Sequence, residues 1–293
     1  MKIIWLNSTL SGLCDRFIDL FLMVAMAKIM KAELTVLWKI NSNFTEHQLR
    51  TWEKARFEDY KHELFLQYFE MPNNLKLVGK KDLEHLSHQD YVIFNDYLGG
   101  IFTPQEFYSR YLQSFCSSHE FEIAYRQALD EFKPTQKLLD LVSFNDEIDI
   151  AIHLRRGDKV NNNPNVVEIA NNELANLDRM TASCVDKLLS DVKNPSIFIC
   201  SDDPSSIESY RERYSQKDCR LISIGPNVTD VEKTYVDLFL LTQSKAIVMS
   251  QKHSNFSLFA SQVKSRKLVY FYQDNNMIIG NKAVNAIFHK DLE

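Results

Sequence analysis

Apolar and polar positions alternate along the chain in blocks that predict strands and helices in turn. Residues 3–6 are a short apolar run with the length of a buried strand. A polar loop at 7–14 separates them from the most apolar stretch, FIDLFLMVAMAKIM at 17–30. That stretch contains Asp19 and Lys28 and falls short of the ~20 apolar residues a bilayer span needs. It predicts a buried helix that Asp15 caps and that ends near Lys31. Residues 34–38 predict the next strand, completing the first β-loop-α-β unit of an open parallel sheet. Residues 44–70 carry aromatics and charges at helical spacing, 92–95 read as a strand, Gly99-Gly100 as a turn, and 104–132 as helical.

The stretch from Pro134 to about Asp149 reads as a hinge, and beyond it the alternation is more regular. Strands are predicted at 148–154, 196–200, 221–224, 246–249 and 268–272, with helices at 173–189, 204–213, 231–243 and 256–263 between them. Strands alternating with helices predict a doubly wound parallel sheet. The fold class is therefore α/β with two domains, 1–140 and 141–293, in line with a prior of ~150 residues per domain.

Composition narrows the function classes. Apolar residues make up 45% and charged residues 25%, an ordinary globular profile that excludes a disordered, collagenous or coiled-coil chain. The net charge of −5 lacks the basic excess of a protein that grips a nucleic-acid backbone. Only 7 of 293 residues are glycine and none forms a G-x-G pair, so the Rossmann fingerprint and the Walker A loop are absent. Side chains and helix ends must then hold any bound phosphate. The five cysteines include no C-x-x-C pair, which argues against a zinc or redox motif and for reduced thiols in a cytoplasmic protein. After Met1-Lys2 the chain enters the strand-like run IIWL, where a signal peptide would carry a longer basic region. No metal site is predicted: the chain contains no Asp-x-Asp, and its His and Cys show no ligand spacing.

In doubly wound sheets ligands bind outside the carboxyl ends of the strands. Three polar clusters occupy such positions. His153, Arg155, Arg156, Asp158 and Lys159 follow the first strand of the second half, Ser201, Asp202, Asp203 and Pro204 the second, and the run from Ser250 to Ser257, with Ser254, Asn255, Phe256 and Ser257 at its end, the fourth. Strand alternation sends Arg155 and Arg156 to opposite faces, so one enters the crevice while the other anchors the loop; the i, i+2 spacing pairs Arg155 with His153. A guanidinium fork matches phosphate bidentately. Asp203-Pro204 and Ser254 each suit the start of a helix, whose N–H groups favour a phosphate. Capping by Asp203 or Ser201 accounts for one carboxylate and leaves the other as a surplus.

HLRRGDKV at 153–160 resembles the H-x-R-R-x-D motif shared by α1,6-, α1,2- and protein-O-fucosyltransferases, and is most similar to the α1,6 and nodulation-factor branch. FICSDDP at 198–204 and YVDLFLLTQSKAIVMSQKHSNFSLFASQ at 235–262 are similar to the second and third motifs of that branch. The N-terminal half matches loosely, through Gly12, Asp15 and Arg16 in the first loop.

The resemblance implies a GT-B-like fold of two Rossmann-like domains, an acceptor-side one and a C-terminal one that binds GDP-fucose. It implies an inverting enzyme that needs no cofactor and no metal. Carried over by position, Arg155 holds the β-phosphate, His153 and Asp237 read the guanine or its ribose, and Asp202 and Asp203 shape the donor pocket. Ser254, Asn255 and Ser257 hold phosphate, and Lys159 sits near the sugar or the acceptor hydroxyl. The acceptor-activating glutamate that follows the lysine by four residues is replaced by Asn163, which leaves Asp158, Glu168 and Asp15 as candidate bases. The implied partners are a GDP-sugar and an oligosaccharide or lipid-linked glycan, probed by a cytoplasmic bacterial enzyme without a transmembrane segment, at the inner face of the membrane. Another GDP-sugar, a heptose or a different 6-deoxyhexose, fits the same residues. Asn163 also suits a non-catalytic sugar-nucleotide binding protein.

Overall fold

The computed structural model describes residues 2–7, 13–38, 64–78, 91–94, 103–142, 146–156, 167–190, 192–250, 254–264, 267–271 and 277–280. The chain divides into two compact units, Met1–Leu139 and Asp140–Glu293.

The first unit contains β1 (Lys2–Asn7), α1 (Leu13–Ile29), β2 (Glu33–Trp38), β3 (Phe69–Glu70), β4 (Leu75–Val78), β5 (Tyr91–Phe94), α2 (Pro104–Phe107), α3 (Ser118–Asp130), β6 (Lys133–Pro134) and α4 (Gln136–Leu141). Its main sheet has the order β4-β2-β1-β5 with every pairing parallel. A helix that is apolar all round has to be buried. From Phe17 to Ala25 of α1, accordingly, no residue is more than 2% exposed.

Three expectations for this unit need correction. Helix α1 begins at Leu13, so Asp15 lies in its first turn and is not its cap. The expected helix at 104–132 is interrupted: α2 passes into a π-helical turn, Tyr108–Leu112, and α3 starts afresh. Ser117 opens α3 by accepting from the Glu120 N–H while Glu120 reaches back to the Ser117 N–H, a local start signal that hydrophobic spacing does not carry. Of 44–70, residues 64–70 form a 3-10 turn, Leu64–Gln67, and then β3; 44–63 lie outside the described residues. The stretch from Pro134 read as a hinge contains the division between the units, which falls within α4; it also holds β6, and Thr135 donates to the Gln67 carbonyl at 2.6 Å. Strand β3 pairs antiparallel with β6, and the Phe69 and Phe132 rings stack 4.3 Å apart beside that pairing.

The second unit contains β7 (Ile148–Leu154), α5 (Val167–Leu189), β8 (Ser196–Ser201), α6 (Pro204–Ser215), β9 (Arg220–Ile222), α7 (Asp230–Thr242), β10 (Ser244–Met249), α8 (Asn255–Val263), β11 (Lys267–Phe271) and β12 (Met277–Gly280). The sheet order is β12-β11-β10-β7-β8-β9, parallel throughout except for the antiparallel pair β11–β12. The chain adds β8 and β9 on one side of β7, then crosses to the other side for β10 and β11. Strand order therefore reverses between β7 and β10. Such a switch point opens a crevice at the carboxyl ends of the two strands.

The central strand separates two environments. Ile150, Ile152 and Leu154 face a core with Cys184 and Val185 of α5 and Tyr210 and Tyr214 of α6. Alternation gives Ala151 and His153 to the opposite face. Helix α5 begins at Val167, six residues before the expected start, because its first two turns carry asparagines in place of a regular apolar stripe. Strand β9 ends at Ile222, short of the expected 224. Two edge strands, β4 and β12, have too few residues to stand out in the sequence.

Candidate functional site

Backbone register brings the ends of β7, β8 and β10 level: His153 pairs with Cys200 on one side and Met249 on the other. Side chains then fasten the ends together. The buried Ser201 hydroxyl donates to the Leu154 carbonyl at 2.6 Å. The Ser250 N–H donates to the His153 carbonyl at 3.1 Å, and the Ser250 hydroxyl accepts from the Arg155 N–H at 3.3 Å.

Past Leu154 the chain keeps the strand's alternation for two more residues. Arg156, 3% exposed, follows Leu154 toward α5 and α6. Its guanidinium pairs with Asp178 of α5 and donates to the hydroxyls of Ser206, at 3.4 Å, and Ser250, at 3.3 Å. Its N–H donates to Asp202 Oδ1 at 2.7 Å. Tyr210 donates to Asp178 Oδ1 at 3.1 Å, and burial followed by the Asp178 charge raises the Tyr210 pKa. Arg156 is thus the anchor of the pair. Arg155 is partly exposed and close enough to His153 to disfavour its charged form.

The opposite face of β7 meets α8 and α7. Ser254 occupies the N-cap of α8 but its hydroxyl makes no cap hydrogen bond. That hydroxyl turns to His153 Nδ1 at 3.3 Å, and the fully buried Ser257 hydroxyl meets the same nitrogen at 2.6 Å. The Phe256 ring lies 5.3 Å from the His153 ring, tilted by 42°. Asn255 is half-buried in the first turn. Ser254 and Ser257 therefore position His153, and the first turn of α8 keeps its N–H groups without a side-chain cap.

Desolvation lowers the His153 pKa to about 4; the Asp202 charge opposes this, and Arg155, Lys233 and Arg156 reinforce it. The ring is neutral at physiological pH, with one nitrogen a donor and the other an acceptor.

Helix α7 starts with a capping box: Thr229 accepts from the Glu232 N–H, and Glu232 accepts from the Thr229 N–H. Two turns on, Asp237 is buried at 6% exposure, so it does not belong to a solvated helix face. Lys233 Nζ donates to Asp237 Oδ2 at 2.6 Å and to the Ser201 carbonyl at 3.3 Å. Oδ1 is buried with no hydrogen-bond partner among the described residues. Burial raises the Asp237 pKa to about 6 against the opposing pull of Lys233.

Asp203 contrasts with it. It is the N-cap of α6, with Pro204 in the first turn. Its Oδ2 accepts from the Ser206 N–H at 2.9 Å and from the Ser205 and Ser206 hydroxyls at 2.7 and 2.6 Å. Hydrogen bonds from Ser206 and then Ser205 lower its pKa to about 2. Asp202 is the surplus carboxylate, exposed at the end of β8.

The structure brings His153, Arg155, Ser201, Asp202, Asp237, Ser254, Phe256 and Ser257 to the carboxyl edge of one sheet, and turns Arg156 and Asp203 into its support. Gly12, Asp158, Lys159 and Asn163 lie outside the described residues; Glu168 lies in the first turn of α5. In the first unit, Asp15 is half-buried and Arg16 is 3% exposed. Sequence reasoning missed Lys233, Asp178 and Ser206, and placed Ser250 in the third polar cluster without giving it a role. Lys233 had a signal, its i, i+4 spacing to Asp237 on a helix. Asp178 had none, because only folding brings α5 to Arg156.

Among the described residues no three His, Cys, Asp or Glu side chains cluster as a metal site would require. No described helix is long and apolar enough to cross a membrane. No family model and no curated protein matches the chain. Solved structures do. A NodZ α-1,6-fucosyltransferase soaked with GDP-fucose is similar over 96% of this chain and 99% of its own, with a TM-score of 0.58 at 13% identity. Fucosyltransferase NodZ from Bradyrhizobium is similar over 96% and 98%, with a TM-score of 0.58 at 12% identity. The fold is GT-B-like. A likeness at this identity carries the architecture, two sheet-cored α/β units; function has to come from the residues.

Proposed function

We propose that the protein is an inverting glycosyltransferase that moves fucose from GDP-fucose to a glycan acceptor, without a metal. The observation that carries this reading is the edge of the second unit. A cation, Arg155, and the uncapped first turn of α8 flank a switch-point crevice, and a buried carboxylate of α7 has an unfilled acceptor. A nucleoside diphosphate has the complementary features: a diphosphate for the cation and helix end, and N–H donors for the carboxylate. Guanine presents an N1–H and a 2-amino group on one edge, which favours GDP over UDP.

In this reading 141–293 is the donor domain and 1–140 the acceptor domain. Arg155 and the α8 amides stabilise the charge that develops on the departing GDP as the acceptor hydroxyl attacks the anomeric carbon from the opposite face. His153, held by Ser254 and Ser257, contacts the nucleotide as a neutral ring. Lys159 lies by the sugar, and Asp158 takes the acceptor proton now that Asn163 stands at the family's glutamate position. The acceptor is a bacterial surface glycan or its lipid-linked precursor, met at the inner face of the membrane. The similarity in fold to NodZ supports this reading and extends over nearly the whole chain.

A panel of GDP, UDP, CMP and their sugars tests it by thermal shift, followed by GDP release from GDP-fucose, GDP-mannose and a GDP-heptose. We expect stabilisation by GDP and not by UDP, and turnover with GDP-fucose that chelator leaves unchanged. A ligand at 100 times its Kd adds ~2.7 kcal/mol, enough to shift the melting temperature. Stabilisation by UDP alone, or loss of turnover with EDTA, overturns the proposal.

A further inference from the structure

The unfilled oxygen of Asp237 raises the question of what fixes its orientation. A carboxylate on a helix rotates about its last torsion, and its two oxygens are equivalent until a donor distinguishes them. Lys233, one turn earlier on α7, is that donor. Its ammonium lies between Asp237 Oδ2, at 2.6 Å, and the Ser201 carbonyl at the end of β8, at 3.3 Å. The second contact ties the lysine to the sheet, so the pair is registered against β8 as well as α7. Oδ1 is left as a buried carboxylate oxygen with no hydrogen-bond partner among the described residues. Buried acceptors are rarely left so, and each such case calls for an explanation.

We propose that Lys233 is the specificity-determining positioning residue of the base pocket: by holding Oδ2 it presents Oδ1 as a single charged acceptor that selects a purine bearing both N1–H and a 2-amino group. This rests on the reading of the crevice as a GDP-sugar site. It adds a residue that does not touch the nucleotide and acts through Asp237.

The surroundings of the carboxylate support this role. Burial disfavours its charge, and Lys233 is the group that pulls the other way. From β8 the facing titratable group is the Cys200 thiol, whose pKa burial and then the Asp237 charge both raise. From the ends of β7 and β8 come His153 and Asp202; His153 is neutral, and Arg155 and Arg156 lie beyond it. Helix α8, which packs against α7, has no charged residue in NFSLFASQV. On β10 the charged group is Lys245, which pairs with Asp149. Without Lys233 the carboxylate protonates at higher pH, and a protonated acid presents a hydroxyl where the purine needs an acceptor.

The geometry also predicts what an amide does. In Asp237→Asn, Lys233 can donate only to the carbonyl oxygen, so it turns the NH2 group into the place of Oδ1. An acceptor becomes a donor, which suits xanthine, whose C2 carbonyl replaces the amino group of guanine.

The test is isothermal titration of the whole chain with GDP, inosine diphosphate and xanthosine diphosphate, on wild type, D237N, K233M, K233Q and the double variant D237N/K233M, repeated across pH. Wild type should prefer GDP over inosine diphosphate. Loss of a hydrogen bond to a charged group corresponds to roughly 10- to 100-fold in affinity. D237N should prefer xanthosine diphosphate. K233M should lose most of the GDP-over-inosine preference and move the midpoint of its pH dependence upward; K233Q, which keeps a donor without the charge, should retain part of the preference. D237N/K233M should not prefer xanthosine diphosphate, because nothing then sets the amide. An unchanged preference and pH midpoint in both K233M and K233Q overturns the role of Lys233 while leaving the GDP reading in place. Absence of GDP binding by wild type, or a D237N that discriminates as wild type does, overturns the reading of the crevice itself.

Discussion

The two flanks of the second sheet's carboxyl edge differ in how completely their polar groups are satisfied. On the α5–α6 flank, Arg156 has a carboxylate and two hydroxyls, and Asp203 gathers three hydrogen bonds on one oxygen. On the α7–α8 flank, Asp237 keeps a buried oxygen without a hydrogen-bond partner among the described residues, and the Ser254 hydroxyl meets a histidine in place of capping its helix. The ionisation of the two aspartates follows: Asp203 has a pKa of about 2 and Asp237 of about 6. A satisfied carboxylate stabilises the protein, whereas an unsatisfied one costs stability and is retained where a ligand completes it. The adjacent residues Arg155 and Arg156 fall on opposite sides of this division because one strand's alternation parts them.

The largest effect is expected at the arginine of the open flank. Arg155→Lys keeps the charge and loses the planar fork. If Arg155 acts on the departing diphosphate, turnover at saturating donor should fall by ~2.7–4 kcal/mol in barrier, roughly 100- to 1000-fold, with an unchanged melting temperature. Near-normal GDP release would place the phosphate elsewhere.

Asp178→Ala probes the closed flank. It leaves the Arg156 charge buried without its carboxylate, which costs ~3–5 kcal/mol in a fully enclosed pair. Asp178 is 37% exposed on its side chain, so solvent screens part of this loss. We expect ~2–3 kcal/mol by denaturant unfolding, accompanied by slower turnover because the β7 loop loses its anchor. A neutral effect on stability would remove Arg156 from the support role.

Asp203→Ala should cost ~0.5–2 kcal/mol as a lost N-cap and leave the Kd for GDP within about twofold. A large loss of GDP affinity without a change in stability would move Asp203 to the open flank.

A further effect is in the pH dependence of stability. Asp237 has a folded pKa raised to about 6 from 3.8, so its contribution to stability is present at low pH and is lost as pH rises through about 6. His153 has a folded pKa lowered to about 4 from 6.5, so its contribution is present above 6.5 and is lost as pH falls through about 4. Between these limits the two slopes oppose each other. D237N removes one of them, and melting temperature should then fall more steeply on acidification than in wild type. The same variant should be more stable than wild type near neutral pH, because burial of the Asp237 charge outweighs the opposing pull of Lys233. A flatter profile in D237N would show that one of the two directions is wrong.

From sequence alone follow the α/β class, the buried helix α1, the alternation of the second half, and the positions after β7, β8 and β10 where a parallel sheet places its ligands. These are consequences of local periodicity and strand length, each element being read from a window of about twenty residues or fewer and the class from their order. The division of labour among those positions was decided only by the tertiary structure. Arg156 is the anchor because α5 brings Asp178 to it from 22 residues away. Ser257 is a partner of His153 and not a free helix-start hydroxyl because α8 packs across the end of β7, 104 residues distant in sequence. Lys233 matters because the Ser201 carbonyl, 32 residues earlier, fixes where its ammonium sits. A sequence lists donors and acceptors; which of them are left unpaired depends on contacts between segments that no local pattern encodes.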